Sequence, residues 1–182
     1  MARTLTVADL TLRLDFLYKN TLDGGQETTH DSTIVIQDSL ESGTDANQAD
    51  RLLVAQGQTL SSSAVDTIDV QDLGTLSIGA GSGKDSLGQT CRFSEIVFIA
   101  LASASTSAGD LLIGGSGASN AFNSIFNGDD NAKTVLKPDG FVAWKAPGAS
   151  AYAVAATTNH ILRLEASGGD VDYDLYIIGR SP

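Results

Sequence analysis

The sequence predicts an all-β protein: an antiparallel β-sandwich or jelly-roll-like domain preceded by a more loosely packed N-terminal β region. Three observations carry this. Short runs alternate apolar and polar residues with the period of two that belongs to strands. Turn-rich polar segments separate those runs, and from Cys91 onward six or seven strands recur at spacings of roughly a dozen residues. Helical periodicity is nearly absent, with Asn47 to Leu53 and Ala121 to Phe126 the only candidates.

Leu10, Leu12, Leu14 and Phe16 alternate with Thr11, Arg13, Asp15 and Leu17, which reads as a half-buried first strand. The β-branched run TIVIQ (Thr33 to Gln37), Arg51 to Val54 and Thr67 to Val70 follow as short strands. The polar stretches LDGGQETTHD, QDSLESGTDANQAD and GAGSGKDSLG read as turns and loops, with Asp23-Gly24 a candidate tight turn. The chain is expected to divide into an N-terminal β region or arm (1–78), a Gly/Ser-rich linker or loop (79–90) and a C-terminal sandwich (91–182). The first part has few core residues for independent folding, so an arm or sheet completed by a neighbour is the expectation.

RFSEIVFIALAS is the strongest apolar run. Phe93, Val97, Ile99 and Leu101 are expected on one face, with Ile96, Phe98 and Ala100 on the other. A strand apolar on both faces is central and covered twice, by an opposing sheet and by a loop, helix or another subunit. GDLLIGG is a short strand, and SGASNAFNSIFNGDDN a hydrogen-bonded loop pinned by its aromatics. The PDG turn at 138–140 leads into FVAW. YAVAA and ILRLEA are strands, and SGGD connects tightly to VDYDLYIIGR. That closing strand sets Val171, Tyr173, Leu175 and Ile177 against Asp172, Asp174, Tyr176 and Ile178, so it should run from a solvated edge into a covered region.

The 182 residues carry 22 acids against 11 bases. A net charge of −11 disfavours a nucleic-acid partner, which needs clustered Lys and Arg. It favours solubility and could complement a basic protein surface. Cys91 is the single cysteine and His30 and His160 the only histidines, so an internal disulfide and a Cys/His metal cluster are both excluded. Cys91 sits among apolar residues and reads as a buried small hydrophobe. The start lacks the apolar stretch of a secretory signal, and no run is long and apolar enough to span a bilayer as a helix. Synthesis in a cytoplasm is therefore expected.

Little suggests catalysis. GAGSGKDSLG resembles a phosphate loop only superficially, because Asp85 follows Gly83-Lys84 where a hydroxyl is required and a strand follows where a helix should open. His30 and His160 lie near no nucleophile elbow and read as solvent-facing turn residues. Asp172 and Asp174 share a strand face and repel unless hydrated or matched by Arg163 or Arg180. Asp129, Asp130 and Asn131 offer oxygen ligands, but not at a spacing that supplies the full shell calcium takes. No enzyme activity, cofactor or metal is assigned. The candidate residues are instead for interaction: Phe122, Phe126, Asp129, Asp130, Trp144 and Tyr176.

GDLLIGGSGASNAFNSIF, VLKPDGFVAWKAPGASAYAVAA and LRLEASGGDVDYDLYIIG together resemble a loosely defined set of small β-rich structural proteins of tailed bacteriophages. The matching features are Gly114, Gly115, Asn120, Ala121 and Phe122; Pro138, Asp139 and Gly140; Tyr152 and Val154; and Asp174 to Gly179. They are turn and core features across residues 91–180, about half the chain, and specify a fold more than a task. The resemblance implies a virion component. Within a virion, a capsid decoration or cement protein on the major capsid protein shell fits best, ahead of a tail or head-to-tail adaptor component and a receptor-binding tail protein. Other virion proteins are the expected partners, with a homo-oligomer, trimer or dimer, and neither nucleic acid nor membrane.

Overall fold

The computed structural model describes residues 7–21, 27–73, 77–78, 81–82, 91–115, 117 and 119–182. The chain is all-β, with several antiparallel sheets. Its first two strands, β1 (Val7–Thr21) and β2 (Glu27–Ser42), form a long antiparallel ribbon paired from Val7↔Glu41 to Thr21↔Glu27. The sequence places the second strand only at Thr33 to Gln37. The polar flanks on either side are strand as well, because each residue is held by a partner on β1 whatever its side chain. His30 accordingly lies within β2, opposite Tyr18, and not in a turn. The expected Asp23-Gly24 turn falls outside the described residues.

A tight turn leads from β2 to β3 (Gln48–Ala49), which pairs with the end of β2 in parallel, and then to β4 (Arg51–Leu60). The helical candidate at 47–53 is thus strand and turn: its apolar residues alternate across β4 instead of stacking every third or fourth position. β5 (Val65–Asp69) follows, then a small hairpin of β6 (Ser77–Ile78) and β7 (Gly81–Ser82). The remainder of the segment 79–90 lies outside the described residues.

The later strands are β8 (Glu95–Ser103), β9 (Asp110–Gly114), β10 (Lys133–Leu136), β11 (Phe141–Lys145), β12 (Tyr152–Ala153), β13 (Ile161–Ser167) and β14 (Val171–Arg180). They build a four-stranded sheet in the order β10-β9-β13-β5 and a five-stranded sheet in the order β11-β8-β14-β4, with β12 following β11 along the same edge of β8. Residues 51–69, expected in an N-terminal region, instead supply one strand to each sheet through the β4·β14 and β5·β13 pairings. The expected YAVAA strand shrinks to Tyr152 and Ala153, while KTVL at 133–136, unassigned in the sequence, is the edge strand β10.

One buried cluster takes side chains from both sheets. Leu162, Leu164, Leu111, Ile113 and Ile68 come from the four-stranded sheet; Leu53, Ile99, Leu101, Tyr173, Leu175 and Ile177 come from the five-stranded one. Cys91 is buried in this cluster, as its neighbours predict. Tyr173 donates its hydroxyl to Asp66 Oδ2 at 2.8 Å. Burial and that carboxylate together push its phenol well above the usual tyrosine range. The closing strand behaves as expected: Val171, Tyr173, Leu175 and Ile177 are fully buried, while the other face passes from half-buried Asp172 and Asp174 to buried Ile178 and Arg180.

The expected facing of β8 needs a correction. Ile96, not Val97, joins Phe93, Ile99 and Leu101 in the main core, and Val97 lies in a second cluster with Leu40, Ala49 and Ile178. The cause is a bulge. The register passes from Ile178↔Phe98 to Gly179↔Ile96, leaving Val97 unpaired and reversing the alternation there. Gly179 permits the close pairing: a Cβ at that position would stand 2.3 Å from the Glu95 carbonyl oxygen and 2.5 Å from the Phe93 ring.

Candidate interaction surface

The six residues expected to mediate interaction do not form one surface. Phe122 is 2% exposed and fills the main core. The backbone explains this: Ala121 bridges to Ile161, and Phe122 N–H donates to the Ile161 carbonyl at 2.8 Å, seating the loop across the start of β13. The following residues, Ser124–Phe126, make a single 3-10 turn in place of the possible helical stretch. Phe126 and Trp144 meet edge to face, with ring centroids 6.1 Å apart and planes at 77°, both half-buried against the core. Both rings pack on the body of the protein and keep part of their surface accessible.

Asp129 and Asp130 are committed to their own loop. Asp129 Oδ1 accepts the Asn131 N–H at 2.9 Å, and Asp130 Oδ1 accepts from Asn123 Nδ2 at 2.7 Å. No group of three or more His, Cys, Asp or Glu residues arranged for a metal occurs among the described residues. Tyr176 stands elsewhere, on the outer face of the five-stranded sheet, where its hydroxyl accepts from Gln56 Nε2 at 2.7 Å and donates to Asp174 Oδ2 at 3.2 Å. The Asp172 and Asp174 pair is not matched by Arg163 or Arg180. Asp172 accepts from the Thr59 hydroxyl at 2.7 Å and Asp174 from Gly57 N–H at 2.8 Å. Gly57 has φ of 63°, the left-handed conformation that lets β4 bulge opposite this carboxylate. The two arginines serve Glu165 and Glu95 instead, each at 2.6 Å. His160 is half-buried and its Nδ1 lies 3.2 Å from the Ala155 carbonyl oxygen, so it follows a turn without simply facing solvent.

A more continuous surface arises where the ribbon crosses the outer face of the five-stranded sheet. β11 turns Val142 and Trp144 toward the core and Phe141, Ala143 and Lys145 outward. Phe98 and Ala100 of β8 form the neighbouring floor, and Leu10 and Ile36 of the ribbon rise beside them. Together they line an open apolar groove of about 440 Å³, with Asp9, Thr11 and Lys145 at its margins. Beneath the ribbon's base, Leu40, Ala49, Val97 and Ile178 form the second buried cluster, against which Leu10, Leu52 and Phe98 pack. This is the second cover that the two-sided apolarity of β8 requires.

Two polar contacts hold the ribbon there. Lys145 Nζ pairs with Asp38, and that ammonium holds the Asp38 carboxyl below the usual aspartate range. Buried Arg180 donates from Nε to the Gln48 carbonyl at 3.1 Å, from Nη1 to Glu95 at 2.6 Å, and from Nη2 to the Pro147 and Gly148 carbonyls at 2.9 and 2.8 Å. β3, β8 and the 147–148 turn therefore converge on one guanidinium.

At and beside the groove, Ile34, Val35 and Ile36 of the ribbon and Phe141 of β11 are 48, 53, 56 and 58% accessible. Sequence reasoning did not single out this group. The signal was present in TIVIQ and in the alternation of FVAWK, but nothing in the sequence says that the two meet. No family model, curated protein or solved structure matches this chain.

Proposed function

We propose that the protein is a non-enzymatic structural component of a tailed-phage virion, most simply a decoration or cement protein bound to the major capsid protein shell. The supporting observation is the exposed apolar ribbon and groove. Exposed contiguous apolar surface of this kind marks protein–protein contact, and a two-stranded ribbon is marginal in water unless something packs on it. The resemblance of residues 91–180 to phage structural proteins supplies the setting. In this reading the four- and five-stranded sheets pack face to face as a β-sandwich, which serves as a rigid body that presents the ribbon. An acidic surface then meets a basic patch on the shell and slows wrong encounters by charge.

The test is sedimentation of the purified chain with empty phage-type shells. Saturable co-sedimentation at a fixed ratio to the shell subunit is the expected result. A discrete ring that ignores shells but binds tail or connector assemblies would move the assignment to an adaptor. Failure to bind any virion assembly would remove the virion reading.

A further inference from the structure

The four-stranded sheet ends in two unlike edges. At one, β10 pairs only with β9, and at the other β5 pairs only with β13. No described strand lies beyond either edge, so each offers backbone N–H and C=O groups to a further strand. Burial assigns the faces. Ile68 and Leu136 point into the core, so Val65, Thr67 and Asp69 of β5 share the outer face with Lys133 and Val135 of β10. The two edges also differ in charge. β10 begins with Lys133 and is followed by Lys137, whereas β5 carries Asp66 and Asp69. Lys133 is exposed and makes no ion pair among the described residues. Asp69 commits only Oδ1, to the Gln71 and Asp72 N–H groups at 2.9 Å each.

We propose that these edges are complementary and that copies of the chain join head to tail, β10 of one against β5 of the next, continuing the four-stranded sheet from molecule to molecule. In the register that the charges select, Lys133 lies opposite Asp69 of the next copy and Val135 lies opposite Thr67.

Three features favour a second copy as the occupant. The first is strand direction. Every neighbouring pair in the sheet is antiparallel, so with four strands its two edges run in opposite directions. A second copy in the same orientation therefore brings β10 antiparallel to β5, with the outer faces continuous. The second is charge. Short, charged edge strands are a device against edge-to-edge pairing, and here each edge is guarded against its own kind. A two-fold contact of β10 with β10 gathers lysines in one short ladder, and β5 with β5 gathers aspartates. Between unlike edges the same charges attract, as opposite charges across a strand pair do. In a chain of net charge −11, a basic edge is also the surface that a second copy approaches without repulsion. The third is fit. The four residues of β10 lie along the five of β5, and neither strand contains a proline or a bulge. Val135 and Val65, 51 and 43% exposed, then stand as diagonal neighbours on the outer face. Such a contact is small and therefore weak, at the low end of interface size. Being heterologous, it closes into a ring or grows as an open chain according to the rotation between copies.

This inference does not rest on the virion reading and is tested without shells. Thr67 and Val135 stand on opposite edges of one sheet, three strand spacings or about 14 Å apart. That exceeds the roughly 7 Å between Cα atoms that a disulfide can span. Full-length Thr67→Cys and Val135→Cys chains, mixed at high concentration with a mild oxidant, are expected to form a disulfide-linked heterodimer. Either chain alone should form none, and buried Cys91 should stay free. Both positions are exposed, so the circular dichroism spectra should match that of the parent chain. Sedimentation velocity of the unmodified chain, taken up to about 1 mM, is expected to show species heavier than a dimer. Lys133→Glu should weaken that association by about threefold or more. Absence of the mixed cross-link overturns the proposal, and so does a cross-link that forms equally within either variant alone, which would mean a two-fold contact. Association that Lys133→Glu leaves unchanged overturns it too. A chain that stays monomeric throughout would show that the short, charged edges only keep sheets apart.

Discussion

Arg180 is 1% exposed, yet every donor direction of its guanidinium that matters is occupied. A lysine could not replace it, since a point ammonium cannot span Glu95 and three carbonyls in one plane. Arg180→Met would fill much of the volume but leave the Glu95 carboxylate and the Gln48, Pro147 and Gly148 carbonyls without this donor. Glu95 is 28% exposed and Gly148 lies at the surface, so the freed groups can meet water, and urea unfolding of the Arg180→Met chain is expected to show a loss of about 1–3 kcal/mol. The residue was half legible in the sequence. Its place on the apolar end of VDYDLYIIGR is plain, but its partners lie 32 to 132 positions away. For the same reason the sequence offered it, beside Arg163, as one possible match for Asp172 and Asp174, when the structure pairs it with Glu95 across to β8.

Strand by strand, the fold was most readable where burial is one-sided. The alternation of β14 predicts its inward face without error, and the two-sided apolarity of β8 predicts a second cover. What alternation cannot carry is a bulge: one unpaired residue at Val97 exchanges the roles of Ile96 and Val97, and only the register against β14 reveals it. The ribbon was under-read for the opposite reason. Its flanks ETTHDS and QDSLES have the composition of loops, and only their pairing with β1 shows them as strand. The ribbon's attachment has its own pH dependence. Asp38 is held below its ordinary value by Lys145, so its contribution is present above the usual aspartate range and is lost as the pH falls through the lowered folded value. Hydrogen exchange under acid conditions is therefore expected to lose protection at Leu10 and Leu40 before Leu162 and Leu164. Simultaneous loss at all four sites would show that the ribbon and the sheets open as one unit.

Across the whole molecule, the decisive pairings are distant in sequence. β4 meets β14 and β5 meets β13, each across about half the chain or more, whereas sequence spacing only announced that short antiparallel strands would recur. Composition also acts at this scale. The net charge of −11 opposes any self-contact, and its reach shrinks to a screening length of about 10 Å at 0.1 M salt. The placement of β14 between β8 and β4 bears on how the chain is made. A ribosome delivers β8 and β4 long before the strand that joins them, so both wait with an apolar edge open until residue 180 has cleared the exit tunnel. Premature termination anywhere before residue 171 would release a polypeptide whose five-stranded sheet lacks its central member. Such fragments would be natural prey for proteases, and only copies that include β14 would escape them.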